Sequence, residues 1–260
     1  MGKIDIFICD WRKAKPPTIN TRETKEKLLE NLAGAFLKLA SDTQQSQGFF
    51  SVILGGGRTP QELNKNIVKS SAAKKIDWKR VIVFFSDERC VPPDHKDSNF
   101  KLIFDTLIEP LQISRDNVYS IVGELKPGDA AADYREKLAG FAGDEPVPVF
   151  DLALLGFGAD GHTASLFPGS KVLKESHYLA VSAGRGPEGL DRVTVTFPVF
   201  NAAKNVWLLA AGAEKSQAFR TLVQGSYDPL KLPALGICPR TGDLVYWIDE
   251  DISSGLQIKR

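Results

Sequence analysis

The chain has 260 residues, of which 43% are hydrophobic and 25% are charged, as in an ordinary globular protein. Its 33 Lys and Arg residues nearly balance its 32 Asp and Glu residues, which leaves a formal net charge of +1. A protein that binds duplex nucleic acid or an anionic membrane over a wide surface usually carries a basic excess. The composition therefore disfavours both nucleic acid and membrane as partners.

The cysteines and the N-terminal segment bear on the compartment. Cys9, Cys90 and Cys238 are far apart and follow no CxxC or Cys/His spacing, so neither a disulfide framework nor a zinc site is predicted. Residues 1–10 lack the long apolar core of a signal peptide, and no run of about 18 apolar residues is present to span a membrane. We therefore expect a cytoplasmic protein. The sequence leaves the oligomeric state open, and a monomer is favoured.

Short apolar, β-branched runs alternate with longer amphipathic stretches, a pattern typical of strand–helix units in a mainly parallel sheet. The predicted strands span residues 4–9, 50–54, 80–85, 118–122, 150–155, 193–197, 206–211 and 244–248. The predicted helices span residues 21–40, 60–69, 98–108, 128–141 and 214–223. The Pro- and Gly-rich pieces 143–148 and 184–189 are short enough to be loops. The sequence thus predicts one α/β domain over residues 1–260, with an open, Rossmann-like sheet flanked by helices.

A glycine-rich segment, GGGRTP at 55–60, follows one predicted strand and precedes a helix. In open parallel sheets, ligands bind beyond the carboxyl ends of the strands. The glycines allow a close approach of the backbone, Thr59 stands where an N-cap would, and exposed amides at a helix N-terminus bind anions. Gly56, Gly57, Arg58 and Thr59 are therefore candidate phosphate ligands. A tight strand-to-helix turn is the alternative.

The segment 150–168 (FDLALLGFGADGHTASLFP) contains the strongest candidate for a catalytic base. It formally matches GxGxxG after a strand, but Pro168 follows Gly161 too soon for a crossover helix, and no acidic residue ends a strand about 20 residues on. A dinucleotide site is therefore disfavoured. Instead, the glycines bend the backbone around Asp160 and His162, and an imidazole beside a carboxylate suits proton transfer near neutral pH. A histidine that only hydrogen-bonds the loop is the alternative.

Three basic residues follow or open predicted strands. Arg89 lies in an Asp-Glu-Arg cluster that could be a solvated turn, yet its planar guanidinium at this sheet edge suits a phosphate. Arg192 opens the strand at 193–197, and Lys215 lies in a first helical turn, where a cation opposes the helix macrodipole. Lys215 therefore indicates an anionic partner, with a solvated lysine as the alternative.

Together, the segments GGGRTP, SDERCVPPDHKDSNF, LLGFGADGHTASLFPG, RVTVTF and GAEK resemble the 6-phosphogluconolactonases, which hydrolyse 6-phosphogluconolactone to 6-phosphogluconate in the pentose phosphate pathway. The resemblance runs in order from about residue 50 to the C-terminal strand. Glucosamine-6-phosphate deaminases, of the same broad superfamily, usually have Asn-Glu-Pro where this chain has Leu166, Phe167 and Pro168, and are the less favoured alternative. A non-catalytic sugar-phosphate sensor is a third hypothesis, against which the intact Asp160 and His162 argue.

The resemblance implies hydrolysis without a cofactor or metal ion. A δ-lactone is an activated ester, so His162 as general base would activate a water molecule, and Asp160 would support the imidazole or the substrate hydroxyls. The phosphate would lie between the amides of residues 56–59 and three basic side chains. These are Arg89, Arg192 and Lys215. The sequence does not tell which of the three contacts the phosphate and which contacts the oxyanion that develops on the lactone carbonyl.

Two polar residues and one loop complete the implied site. Asp87 and Asn99 would orient Arg89 and the loops rather than take part in the chemistry. The loop at 184–189, GRGPEG, is rich in glycine and would form a mobile lid.

Overall fold

The computed structural model describes residues 15–254 and Leu256. The strand predicted at 4–9 lies outside the described residues. The strands are β1 (Thr18–Arg22), β2 (Phe50–Leu54), β3 (Val81–Phe85), β4 (Asp87–Arg89), β5 (Val118–Tyr119), β6 (Leu152–Gly156), β7 (Ala180–Arg185), β8 (Asp191–Val195), β9 (Asn205–Ala210) and β10 (Asp243–Asp249). The α-helices are α1 (Lys25–Gln47), α2 (Arg58–Lys69), α3 (Asn99–Ile103), α4 (Pro127–Ala142), α5 (Phe197–Ala202), α6 (Ser216–Gln224) and α7 (Glu250–Ser253).

Seven strands form one parallel sheet in the order β1-β10-β9-β6-β2-β3-β5. The inner strand β2 is buried along its whole length, as expected for a parallel sheet covered on both faces. From β2 the chain builds outwards through β3 and β5, and it then returns to place β6 on the other side of β2. The loops after β2 and β6 therefore diverge and leave a crevice between them. The predicted open, mainly parallel α/β sheet flanked by helices is confirmed.

A second sheet has three antiparallel strands in the order β4-β8-β7. The strand predicted at 193–197 belongs here as β8 and not in the parallel sheet, which corrects that expectation. Its β-branched run is equally suited to either sheet, and its pairing with β4 on one side and β7 on the other places it in the antiparallel sheet. The register of β4 and β8 places Arg89 directly opposite Arg192.

The apolar face of α1 follows from the sequence, whereas its first residue is set by a neighbouring strand. Leu28, Leu32 and Phe36 recur on one face of α1 and are fully buried, as the sequence predicts. The helix starts later than predicted because β1 occupies the preceding residues as an edge strand beside β10. Its N-cap is Thr24, whose hydroxyl accepts the backbone N–H of Lys27 at 3.3 Å.

Three further expectations need correction. The helix α2 begins after Gly57, not after Thr59, and Gly57 provides no side-chain cap. The helix predicted at 98–108 is divided into α3 and a π-helical turn at Phe104–Ile108. Cys238 is disulfide-bonded, although the sequence spacing predicted no disulfide framework.

Within the described residues, no helix is both long and apolar enough to cross a membrane.

Candidate active site

A cavity of about 630 Å³ opens where β2 and β6 end. The loop after β2 lines one side of it, and the loop after β6 lines another, so the cavity lies at the topological switch point of the sheet. The predicted site residues that line it are Gly56, Gly57, Arg58, Thr59, Asp87, Arg89, Asn99, His162, Arg192 and Lys215. The remaining predicted residue, Asp160, contacts the cavity only through His162.

His162 is held by a short loop after β6. The backbone N–H of Gly158 donates to the His162 carbonyl at 2.9 Å, and the N–H of Gly161 donates to the Gly158 carbonyl at 3.0 Å. A Cβ atom at position 158 would lie only 2.1 Å from Nδ1 of His162. The imidazole therefore packs directly against the backbone of residue 158, which requires glycine there.

Asp160 fixes the orientation of the imidazole. Its Oδ1 atom lies 2.5 Å from Nδ1 of His162 and also accepts the His162 backbone N–H at 3.0 Å. Partial burial alone would raise the pKa of Asp160, but these hydrogen bonds from His162 outweigh it and lower the pKa. Because the carboxylate is ionised at neutral pH, it favours a proton on Nδ1 and leaves Nε2 free to accept one.

Arg192 is buried beside Asp87. Its side chain is only 5% exposed, and its Nη1 atom lies 3.5 Å from Oδ2 of Asp87 and 3.3 Å from Oγ of Ser165. The ring of Phe167 lies 4.9 Å from the His162 ring and 5.6 Å from the Arg192 guanidinium. Asp87 therefore orients Arg192, which corrects the expectation that it orients Arg89.

The Asp-Glu-Arg cluster is buried, so its interpretation as a solvated turn is wrong. The Glu88 carboxylate accepts the backbone N–H groups of Asn99 at 2.7 Å and of Arg89 at 2.8 Å. Burial raises the pKa of Glu88 to about 7, although these hydrogen bonds act in the opposite direction. The Asn99 amide in turn donates to the Asp87 carbonyl at 2.9 Å. Glu88 thereby anchors the segment that positions Asn99, while Arg89 itself donates to the carbonyl of Asp97 at 2.8 Å.

A second group of cations lines the cavity near the glycine loop. Burial lowers the pKa of Lys215, although the nearby carboxylates of Glu214 and Asp249 act in the opposite direction. The positive charges of Lys25 and Arg58 add to the lowering. In the described part of the chain, neither Arg58 nor Lys215 forms an ion pair within 4.0 Å, whereas Lys25 pairs with Glu62 at 2.7 Å. The cluster of Lys25, Arg58 and Lys215 is thus only partly neutralised and is suited to an incoming anion.

The glycine loop supplies backbone donors next to these cations. Since Gly57 has no side chain to cap α2, the first N–H groups of the helix are left available to a ligand. A Cβ atom at position 56 would lie 1.8 Å from Oδ1 of Asn99, so glycine is required for this packing. The glycine loop therefore packs closely against the start of α3.

Sequence reasoning missed several residues that line or support the cavity: Lys25, Ser165, Phe167 and Glu188. Lys25 follows β1, an edge strand that the sequence pattern did not reveal, so its position at a strand end could not be used. Phe167 was noted only as part of the LFP segment. Glu188 was noted only as part of the glycine-rich loop.

The fold and the site define an α/β protein with a His–Asp pair facing a cation-lined crevice, which suits proton-transfer chemistry on an anionic metabolite. The family model for glucosamine-6-phosphate isomerases and 6-phosphogluconolactonases matches residues 23–247. The chain therefore belongs to this family, and the resemblance drawn from its motifs is confirmed.

Individual relatives agree with this assignment. The rat (Rattus norvegicus) 6-phosphogluconolactonase is 38% identical over 216 residues, which cover 82% of this chain and 83% of that protein. The chloroplastic 6-phosphogluconolactonase 3 of Arabidopsis thaliana is 34% identical over 253 residues, covering 94% of this chain and 77% of that one. The solved 6-phosphogluconolactonase of Trypanosoma cruzi has a TM-score of 0.82 at 27% identity and covers 93% of this chain and 97% of its own.

Proposed function

We propose that this protein hydrolyses 6-phospho-D-glucono-1,5-lactone to 6-phospho-D-gluconate in the oxidative pentose phosphate pathway. One observation carries the proposal: the Asp160-oriented imidazole of His162 faces a cavity that also contains the glycine loop and two groups of cations. The similarity to proteins named 6-phosphogluconolactonase supports the choice of substrate within the family.

In the proposed mechanism, Nε2 of His162 takes a proton from a water molecule as the water oxygen bonds to C1 of the lactone. Asp160 stabilises the resulting imidazolium. The tetrahedral intermediate collapses when the bond between C1 and the ring oxygen breaks, and the imidazolium returns its proton to that oxygen. The new carboxylic acid then ionises in solvent. General-base assistance of about 10²–10⁴-fold is enough for an ester that already hydrolyses in water.

The phosphate is proposed to bind between the amides of residues 56–59 and the cationic side chains. Lys215 and Arg58 support this placement because they lie beside the glycine loop without an ion-pair partner among the described residues. Arg192 and Arg89 complete the positive end of the cavity. Asn99 and Asp87 hold this framework through the contact between the Asn99 amide and the Asp87 carbonyl.

The deaminase alternative is less well supported. The position where those enzymes usually carry a glutamate holds Phe167, whose ring packs against His162. An apolar ring cannot exchange protons, so a second acid or base is missing at that point. Release of ammonia from glucosamine 6-phosphate by the purified protein would favour the alternative.

A lactonase assay with a matched pair of variants tests the proposal. His162→Ala is expected to lower turnover at least about 10²-fold after spontaneous hydrolysis is subtracted, because the general base is lost. His177→Ala removes an exposed histidine outside the cavity and serves as the control. A wild-type rate in His162→Ala would contradict the assigned base. Binding of 6-phosphogluconate without any lactone turnover would favour the sensor hypothesis.

We propose one domain over residues 1–260 that acts as a monomer in the cytoplasm and binds no nucleic acid. The nearly balanced charge supports the last point. Size-exclusion chromatography with light scattering measures the mass in solution.

A further inference from the structure

The hairpin turn between β7 and β8 carries a carboxylate into the cavity. The turn is closed by two backbone hydrogen bonds of 2.9 Å, from Gly189 to the Gly186 carbonyl and from Gly186 to the Leu190 carbonyl. Between these residues, Glu188 extends its side chain to Arg192, with 2.5 Å between Oε2 and Nη2. Its Oε1 atom lies 4.0 Å from Nη2 of Arg89. One carboxylate thus serves both arginines.

The contact with Glu188 takes up the one nitrogen of the Arg192 guanidinium that could otherwise bind a ligand. Its Nη1 group faces Asp87 and Ser165, and its Nε atom is buried without a hydrogen-bond partner in the described part of the chain. The backbone of Gly186 covers that Nε atom, since a Cβ atom there would lie 2.2 Å from it. The Nη2 group is therefore the donor that remains for a ligand, and Glu188 occupies it.

The charges explain why an anion is needed at this point. The β4–β8 register sets Arg89 and Arg192 against each other, and like charges directly opposite one another repel. Asp87 and Glu188 supply two negative charges that balance the two arginines. Asp87 is buried behind Arg192, whereas the Glu188 side chain is 54% exposed on a glycine-flanked turn. Of the two carboxylates, Glu188 is the one that is free to leave.

We propose that Glu188 is an internal anion that pairs with Arg89 and Arg192 until the phosphate of a ligand displaces it. It thereby sets the affinity of the cavity for phosphorylated ligands. Substrate and product carry the same phosphate, so the return of Glu188 weakens both and favours product release. The identity of the ligand as a sugar phosphate rests on the proposed function. The exchange of Glu188 for a phosphate rests only on the contacts of Glu188 with the two arginines.

The test uses Glu188→Gln, which keeps the shape of the side chain and removes its charge. Glu145→Gln makes the same change of charge on an exposed residue outside the cavity and is the control. The dissociation constants of inorganic phosphate and of 6-phosphogluconate are measured by calorimetry, without any need for turnover. We expect Glu188→Gln to bind both about tenfold more tightly than wild type and Glu145→Gln, because a competing charge is removed.

Unchanged or weaker phosphate binding in Glu188→Gln, or no binding by any of the three proteins, would overturn the inference. Weaker binding would show instead that Glu188 positions the arginines for the ligand. Lactone assays of the same proteins keep the two proposals apart. Tighter phosphate binding without lactone turnover would retain the anion exchange and reject the proposed function, while full turnover with unchanged phosphate binding would do the reverse.

Discussion

Arg89 and Arg192 stand directly opposite each other across the antiparallel strands β4 and β8. The two residues are 103 positions apart in the chain (192 − 89), and both face Glu188, but only Arg192 also pairs with Asp87. Arg192 is buried against Asp87, whereas Arg89 is more open to the cavity. The same substitution is therefore expected to have different effects at the two positions.

Arg89→Ala is expected to raise KM by about 10- to 100-fold with little change in kcat, since it removes a charged hydrogen bond common to the ground and transition states. Steady-state kinetics on the lactone checks this. An unchanged KM would remove Arg89 from the phosphate site.

Arg192→Ala is expected to lower the free energy of unfolding by about 3–5 kcal/mol, because it leaves the buried carboxylate of Asp87 without its cation. Urea denaturation of this variant beside Arg89→Ala measures the difference. Equal stability of the two variants would show that the pair of Arg192 and Asp87 contributes little to folding.

Asp160→Asn tests the orientation of the imidazole. The amide cannot stabilise an imidazolium as a carboxylate does, so kcat is expected to fall by roughly 10²-fold. Because Asp160 is half-exposed, the melting temperature should change little. A variant that keeps the wild-type rate would show that Asp160 supports the loop only.

Gly158→Ala tests the close packing of the loop on His162. The added Cβ would overlap the imidazole, so the ring must rotate away from Asp160, and kcat is expected to fall by roughly tenfold or more. Gly140→Ala in α4 is the control, since a Cβ there has nothing within 4 Å. Crystallography of the variant would show whether the contact between His162 and Asp160 is lost.

Phosphate binding should weaken on the alkaline side at a lower pH than an ordinary lysine predicts. Burial, helped by Lys25 and Arg58, lowers the pKa of Lys215 against the opposing charges of Glu214 and Asp249. Only the protonated form of Lys215 attracts the anion. As the pH rises through this lowered pKa, the dissociation constant of inorganic phosphate should increase. Calorimetry at a series of pH values from neutral pH up to about 10.4, the ordinary pKa of lysine, measures this change in the dissociation constant.

Lys25→Met sharpens that test. Removal of a neighbouring positive charge should raise the pKa of Lys215 and move the alkaline loss of binding to higher pH, even if binding at neutral pH is weaker. If the alkaline limb stays where it is in wild type, another group controls the binding of phosphate.

Most of the parallel sheet could be predicted because each of its inner strands is a short apolar run followed by a turn, and this pattern depends only on neighbouring residues. The edge strand β1 was missed because its residues, TINTR, are polar and gain their strand conformation from pairing with β10. The strand β4 was missed because it has only three residues, all of them charged, so it shows no strand pattern of its own. It too becomes a strand only by pairing with a distant segment, β8.

The sequence by itself determined the parallel α/β sheet, the glycine loop, the histidine–aspartate pair and the basic residues at the strand ends, because local patterns and residue chemistry carry that information. Only the tertiary structure decided which charges meet. It pairs Arg192 with Asp87 and places Glu188 beside Arg192 and Arg89. It also brings Lys25 and Arg58 close to Lys215. Ion pairs between distant segments depend on strand register and on burial, and the spacing of residues along the chain predicts neither of them.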